Sequence, residues 1–273
     1  MLFRSIRRKA RFGEAFEAIV GDCLAQVRAN VAGVLAGDVE SLHQMRVGVR
    51  RLRALLSGVQ AWDAMPEGTA GKLRWLGQEL GRARNWDVFL ESTLPALGGG
   101  SQAVQSAACE AASRQHAHVR HLLEGPRYLA LMEELALWRS ERLWRDPARI
   151  QPWDKDARKV ARALVRQARE RVVKRVRRLD AQRPASLHRL RIAVKKERYM
   201  REFFGVTARS KVLSDAQELL GKLNDRRIAR ELLHSLLDRL PKHAAELSFM
   251  EGLLAGRQEH ALPEAVRFAR RKL

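Results

Sequence analysis

Leu42-His43-Gln44-Met45-Arg46-Val47-Gly48-Val49-Arg50-Arg51-Leu52-Arg53 recurs 145 residues later as Leu187-His188-Arg189-Leu190-Arg191-Ile192-Ala193-Val194-Lys195-Lys196-Glu197-Arg198. A second echo follows: Leu80-Gly81-Arg82-Ala83-Arg84-Asn85 against Leu220-Gly221-Lys222-Leu223-Asn224-Asp225, at a shift of 140. Two related segments in the same order predict duplication of a helical unit. Wound at ~100° per residue from His43, Arg50 falls near ~340°, Arg46 near ~300° and Arg53 near ~280°, one stripe of a helix. Met45, Val49, Leu52 and Leu56 centre near ~210°, the face that should bury. Arg51 flanks the stripe. The second copy keeps the arrangement, with His188, Arg191, Lys195 and Arg198 on the stripe and Lys196 beside it.

Such a stripe is electrostatically costly. Like charges at i,i+4 destabilise an isolated helix by about 0.2–0.5 kcal/mol per pair. Between Leu42 and Gln60 there is no Asp or Glu to offset them. An external polyanion supplying the counter-charge makes sense of the pattern, because the arginine fork suits phosphate oxygens. Each His sits near its helix N-terminus, where the dipole also favours anions.

The rest of the chain agrees with an all-α protein. Its 273 residues are 46% apolar, enough for a sizeable core. Apolar residues recur at spacings of three and four, and no stretch alternates as a strand would. Helices are predicted at roughly 13–36, 39–61, 68–95, 101–123, 127–145, 154–182, 185–205, 209–239 and 242–270, with ends uncertain by ~2–4 residues. Gly37-Asp38, Pro66-Glu67-Gly68, Gly98-Gly99-Gly100 and Gly125-Pro126 punctuate them. Pro147 to Pro152 separates two halves, 13–146 and 153–273, each expected to form a four-helix bundle within one domain spanning 1–273.

Lys and Arg total 52 against 31 Asp and Glu, a net charge of +21, which favours anionic partners. Two cysteines, Cys23 and Cys109, make no disulfide scaffold and suit a reducing compartment; both are expected to be small buried apolar residues. No apolar run approaches a membrane span of ~20 residues, and the basic N-terminus lacks a signal core. A cytoplasmic protein without membrane contact is expected.

The doubled motif resembles the CHAD family, the conserved histidine α-helical domain. Further matches are Ala29-Asn30 and Val34 to Asp38 before the first motif, and Leu76-Gly77 through Leu80-Gly81, Arg84 and Asp87 in the third-helix motif. Arg127-Tyr128-Leu129 with Trp138, Glu202-Phe203-Phe204 and Gln217 to Asp225 also agree, so the resemblance spans about residues 14 to 240. It implies a pair of four-helix bundles related by a pseudo-twofold. It also implies binding of inorganic polyphosphate in a basic cleft or pore, without catalysis and without a cofactor. Targeting to polyphosphate granules and regulation of polyphosphate metabolism are the two roles such binding would serve. Asn85 departs from the family, which has an acid there, and Glu197 stands where the first copy has Leu52. The Glu-x-Glu-x-Lys strand of a fused triphosphate-tunnel domain is absent, so no hydrolytic partner domain is expected.

On this reading His43, Arg46, Arg50, Arg53, His188, Arg191, Lys195 and Arg198 line an anion track. Arg51 and Lys196 stand beside it, and Arg82, Arg84 and Lys222 extend it. Arg162 to Arg178 holds eight more basic residues that would widen the track. The alternative is a general polyanion or weak, sequence-blind nucleic-acid binder. Only 6% of residues are aromatic, a poor basis for base stacking. Glu40…His43 and Glu231…His234 have the spacing of di-iron ligands, and His118 and His121 share a face, but neither set is complete enough to predict a metal. No P-loop or nucleophile signature stands out.

Overall fold

A computed structural model describes residues 10–62, 64–145 and 152–273. The N-terminal basic stretch before Ala10 and most of the Pro147–Pro152 break lie outside the described residues. Among those described there is no strand, and every long element is a helix.

The helices are α1 (Phe12–Ala29), α2 (Val31–Leu35), α3 (Val39–Gly58), α4 (Thr69–Val88), α5 (Leu94–Ala96) and α6 (Gln102–Glu124). Then follow α7 (Pro126–Ser140), α8 (Ala157–Arg177), α9 (Pro184–Phe203), α10 (Ser210–Leu237) and α11 (Ala244–Lys272). Their starts have local causes. The Asp38 carboxylate accepts from the Glu40 and Ser41 amides at 3.3 and 2.8 Å. Asp156 accepts from the Lys159 amide at 2.9 Å. Both satisfy amides that have no partner inside the helix. Pro126 and Pro184 stand at the first position of α7 and α9, where a missing N–H costs nothing.

Two predicted helices are interrupted. The stretch 13–36 breaks at Asn30, whose side-chain amide donates to the Gln26 carbonyl at 2.7 Å and competes with the backbone ladder. The stretch 68–95 widens into a π turn over Phe89–Thr93 just before Pro95. Proline has no N–H to give the ladder and its ring crowds the carbonyl four residues back, so the turn opens. Pro263, by contrast, lies inside α11 without ending it.

Consecutive long helices pack on one another: α1 on α3, α3 on α4, α4 on α6, and α8 on α9, α9 on α10, α10 on α11. Across the halves, α1 meets α8, α3 meets α9 and α4 meets α10. The apolar clusters follow both sets of contacts. The largest joins α1, α3 and α7 to α8 and the end of α9, through an aromatic group of Phe12, Phe16, Trp138, Trp144 and Trp153. A second joins the end of α4 and the start of α6 to α10 and α11. A third lies within α8 to α11. The face predicted to bury on α3 does so: Met45, Val49, Leu52 and Leu56 are all buried.

Two expectations need correction. Cys23 is buried, its thiol pushed up to about 12 chiefly by burial, but Cys109 is exposed on α6. Phe12–Leu35 has the length and apolar composition of a membrane span, with a mean hydropathy of 1.3. Its residues Phe12, Phe16, Val20, Leu24 and Val27 nevertheless lie in the protein core.

Candidate anion-binding site

The site forms where α3 crosses α9. Gly48 lets α3 lie close against α1, because a β-carbon there would stand 3.2 Å from the Cys23 carbonyl oxygen. Burying Met45, Val49 and Leu52 then turns Arg46 and Arg50 toward α9. Leu190 and Val194 bury on the other side and turn Arg191 and Lys195 toward α3. The four cations thus share one partly buried seam.

Their electrostatics record the crowding. Arg46 is pushed down to about 10, first by burial and then by Arg50 and Arg191. Lys195 is pushed down to about 6, first by burial and then by Arg191, Arg50 and Arg46, with Asp225 opposing. Arg191 is lowered by burial, with Asp225 opposing and Arg50 adding to the fall. The Nε atoms of Arg46, Arg50 and Arg191 and the Nδ1 of His43 are buried without a hydrogen-bond partner. Buried donors in native structures are nearly always paired. A guanidinium left unpaired out of water is expensive, so the seam is short of acceptors.

At one end the seam opens into a cleft of about 190 Å³ lined by Arg46, Arg84, His188, Arg191, Asp225 and Arg227. His43 lies near Arg84, and burial first, then that charge, lowers its pKa below 6.5. His188 is lowered likewise, by burial and then Arg191, while Asn224 hydrogen-bonds to it. Both shifts favour the neutral imidazole in the free protein. Arg50 and Arg198 sit at 5.5 and 5.4 Å from the centroid of Tyr199, which is 1% exposed. Tyr199 therefore packs and holds two cations through its ring rather than offering a face to a base.

Other predicted residues fall elsewhere. Arg53 and Lys196 form a second group, each lowered by burial, with Arg74 close to Arg53 and with Arg171 and Arg53 close to Lys196. Arg171 is the α8 cation whose charge reaches Lys196. Gly77 and Gly81 on α4 make room for this chemistry, since added β-carbons would lie 2.9 Å from Arg53 Nη1 and 3.4 Å from Arg46 Nε. Arg51 and Arg198 flank Glu202 on α9, at 3.7 and 3.2 Å. That carboxylate supplies from the opposite helix part of the counter-charge that the α3 sequence lacks. Arg84 pairs with Asp87 and Glu91 at 3.7 and 3.2 Å while still facing the cleft. Arg82 pairs with Glu79 at 2.6 Å and lines a different cleft. Lys222 is exposed and pairs with Glu218 at 2.7 Å.

Arg227 was not singled out from sequence, and Glu202 entered only as part of a matching segment, not as an ion-pair partner. Arg227 lies three residues past Asn224, one turn along α10, so the second echo pointed to its helix face. The spacing of Glu202 four residues past Arg198 is a local ion-pair signal on α9, whereas nothing in the sequence ties it to Arg51 on another helix. Among the described residues no group of three or more His, Cys, Asp or Glu could hold a metal ion. Of the histidines on α6, His116 pairs with Asp87 at 2.7 Å and His118 with Glu79 at 3.1 Å. Glu231 of the second Glu…His spacing pairs with Arg227.

Comparison with known proteins agrees with this architecture. The sequence profile of the CHAD domain matches residues 18–267. The crystal structure of the CHAD domain from the plant Ricinus communis superposes with a TM-score of 0.87 at 35% identity, covering 98% of this chain and 94% of that one. PptA from Streptomyces chartreusis shares the fold, with a TM-score of 0.72 at 20% identity over 96% of this chain and 98% of its own. No curated protein sequence matches the chain. A profile match over nearly the whole length, together with the plant structure, places the chain in the CHAD domain family.

Proposed function

We propose that the chain is a non-catalytic binding module for inorganic polyphosphate. The observation that carries this reading is the seam of Arg46, Arg50, Arg191 and Lys195, buried together with few acceptors. Polyphosphate carries roughly one charge per phosphate unit, so a linear run of cations suits it better than a closed pocket, and its affinity should fall steeply with salt. The cleft carrying Arg84, His188 and Arg227 is one end of the track, and the group of Arg53, Lys196 and Arg171 is its other end. Lys195, His43 and His188 gain a proton when phosphate oxygens bring negative charge among the surrounding cations. Arg82 and Lys222, already paired with carboxylates, are peripheral. On this reading the protein works in the cytoplasm on polyphosphate granules.

We also infer that the halves 13–146 and 153–273 arose by duplication about a pseudo-twofold. The repeated motif and the matched contacts α1 on α8, α3 on α9 and α4 on α10 support it.

The test is calorimetric titration with long-chain polyphosphate at physiological salt, with triphosphate and RNA in parallel. Arg50→Glu with Lys195→Glu removes two charge-assisted contacts of roughly 1.5–3 kcal/mol each, so a loss of at least ~100-fold is expected. Both new carboxylates would sit among arginines, so the double variant should melt no lower than the parent. Retained affinity in that folded variant excludes the seam. Equal affinity for RNA makes the protein a general polyanion binder instead.

A further inference from the structure

A second cleft lies between α4, α6 and α10, larger than the first at about 320 Å³. That volume reaches the range of small-molecule sites, ~300–1,000 Å³. Its rim carries Arg82, Arg114 and Arg239 from three different segments. Arg82 and Arg114 lean on their own-helix carboxylates Glu79 and Glu110, at 2.6 and 3.4 Å, and remain substantially exposed. Arg239 has no ion pair among the described residues. Glu231, the one acid on the wall, is already held by Arg227.

The floor differs in kind from the polyphosphate seam. Leu232 is partly exposed there, and the small exposed parts of Trp86 and Ala111, 7% and 8%, add apolar surface beside it. An inorganic phosphate chain has nothing apolar to lay on it, whereas a flat heterocycle does. Asn85, Gln115 and Ser235 add amide and hydroxyl groups on the walls, which can donate to and accept from the edge of such a ring. Three rim cations beside an apolar floor with amide walls suit a ligand that is anionic at one end and aromatic, with a polar edge, at the other.

We propose that this cleft binds a nucleoside phosphate, with its base against Leu232 and the exposed part of Trp86 and its phosphates at Arg82, Arg114 and Arg239. The inference goes beyond polyphosphate binding and does not depend on it. Asn85 lines both clefts, so a nucleotide and a polyphosphate end would sit on opposite sides of one amide.

The test uses the full chain and ATP, with inorganic triphosphate as the control that lacks a base. Ser235→Trp fills the cleft from an exposed position whose hydroxyl bonds only the Leu232 carbonyl of its own helix. Arg114→Ala with Arg239→Ala removes two exposed phosphate partners without touching the core. ATP should bind more tightly than triphosphate, and each variant should weaken ATP about tenfold or more. Long-chain polyphosphate should bind both variants as it binds the parent, or bind none of the three if the seam itself is inactive. Three results overturn the proposal: no binding at millimolar ATP, equal affinity for ATP and triphosphate, or ATP affinity lost in Arg50→Glu/Lys195→Glu but kept in both cleft variants.

Discussion

On α3 the residues at 46, 50 and 53 are all arginine, and the core positions below them are Leu52 and Leu56, exposed by only 1% and 2%. On α9 the matching positions are Arg191, Lys195 and Arg198, and below them stand Glu197 and Arg201, exposed by 0% and 8%. Glu197 Oε1 accepts from Arg201 Nε at 2.9 Å, and Arg201 also donates to the Ala208 carbonyl at 3.0 Å. So the first motif helix sits on a hydrocarbon core, while the second sits on a buried ion pair with Arg169 and Arg209 nearby. The first helix presents permanent cations. The second presents Lys195, whose charge depends on its surroundings. One sequence pattern thus yields a fixed wall and an adjustable wall of the same seam.

The sharpest way to break this contrast is to make the second helix like the first. Glu197→Leu alone removes the only carboxylate of a buried group and leaves Arg201 uncompensated. Breaking a buried pair in this way costs about 3–5 kcal/mol, and urea unfolding should show it. Adding Arg201→Leu restores the Leu–Leu pattern of α3 and should recover most of that loss, since apolar replacements of buried pairs are often neutral or better. If the double variant is no more stable than the single one, the pair is not the element that distinguishes the two helices. Polyphosphate affinity of the double variant should match the parent, because neither residue lines the seam.

The next effect lies in the adjustable wall. Lys195 falls from an ordinary 10.5 to about 6 on folding. Below about pH 6 both folded and unfolded chains hold that proton, and the full repulsion opposes folding. Between about 6 and 10.5 the unfolded chain binds more protons, so the contribution of Lys195 makes stability rise with pH through that window. If polyphosphate occupies the seam as proposed, it reverses the balance by favouring the charged amine. Affinity should therefore rise as pH falls from 8 toward 6, by up to ~10-fold per pH unit for one proton taken up. Calorimetry in two buffers of different ionisation heat counts that proton. Lys195→Arg, which does not titrate in this range, should lose most of the uptake; undiminished uptake assigns it to His43 and His188 instead.

The repeat and its helical stripe made the cationic seam, the candidate site, legible in the sequence. The same two segments cross in space, and Arg46, Arg50, Arg191 and Lys195 meet as the wheel for each helix implied. What sequence could not reach was pairing between helices. Glu202 serves Arg51 from another helix, and Asp225 and Arg227 face the cleft only because α10 crosses the end of α4. Helix content was legible for a similar reason: spacing of three and four is a local property. The breaks at Asn30 and before Pro95 were missed although both residues are visible, because each competes with its own backbone ladder in a way periodicity does not register. Glu197 was marked as a departure, and its partner Arg201 stands four residues on, where Leu56 stands in the first copy.

The smallest contrast concerns glycine. Gly48 on α3 corresponds to Ala193 on α9, and Gly81 on α4 to Gly221 on α10. A β-carbon at 48 would meet Val27 Cγ2 at 3.0 Å and the Cys23 carbonyl oxygen at 3.2 Å, and that backbone cannot swing aside. At 221 nothing lies within 4 Å. Alanine gains about 0.8–1.0 kcal/mol over glycine inside a helix, so Gly221→Ala should stabilise the protein by roughly that amount. At 48 the same gain is opposed by an overpacking cost of about 1–3 kcal/mol, so Gly48→Ala should be neutral to destabilising and should lift α3 from α1. Lifting α3 moves Arg46 and Arg50, so polyphosphate affinity should fall in Gly48→Ala and stay unchanged in Gly221→Ala. Opposite signs in thermal unfolding, with the affinity change confined to position 48, tie the seam to the close approach of α3 and α1. Equal stabilisation at both positions means that α3 has room to spare, and the placement of its arginines then rests on α4 and α9 alone.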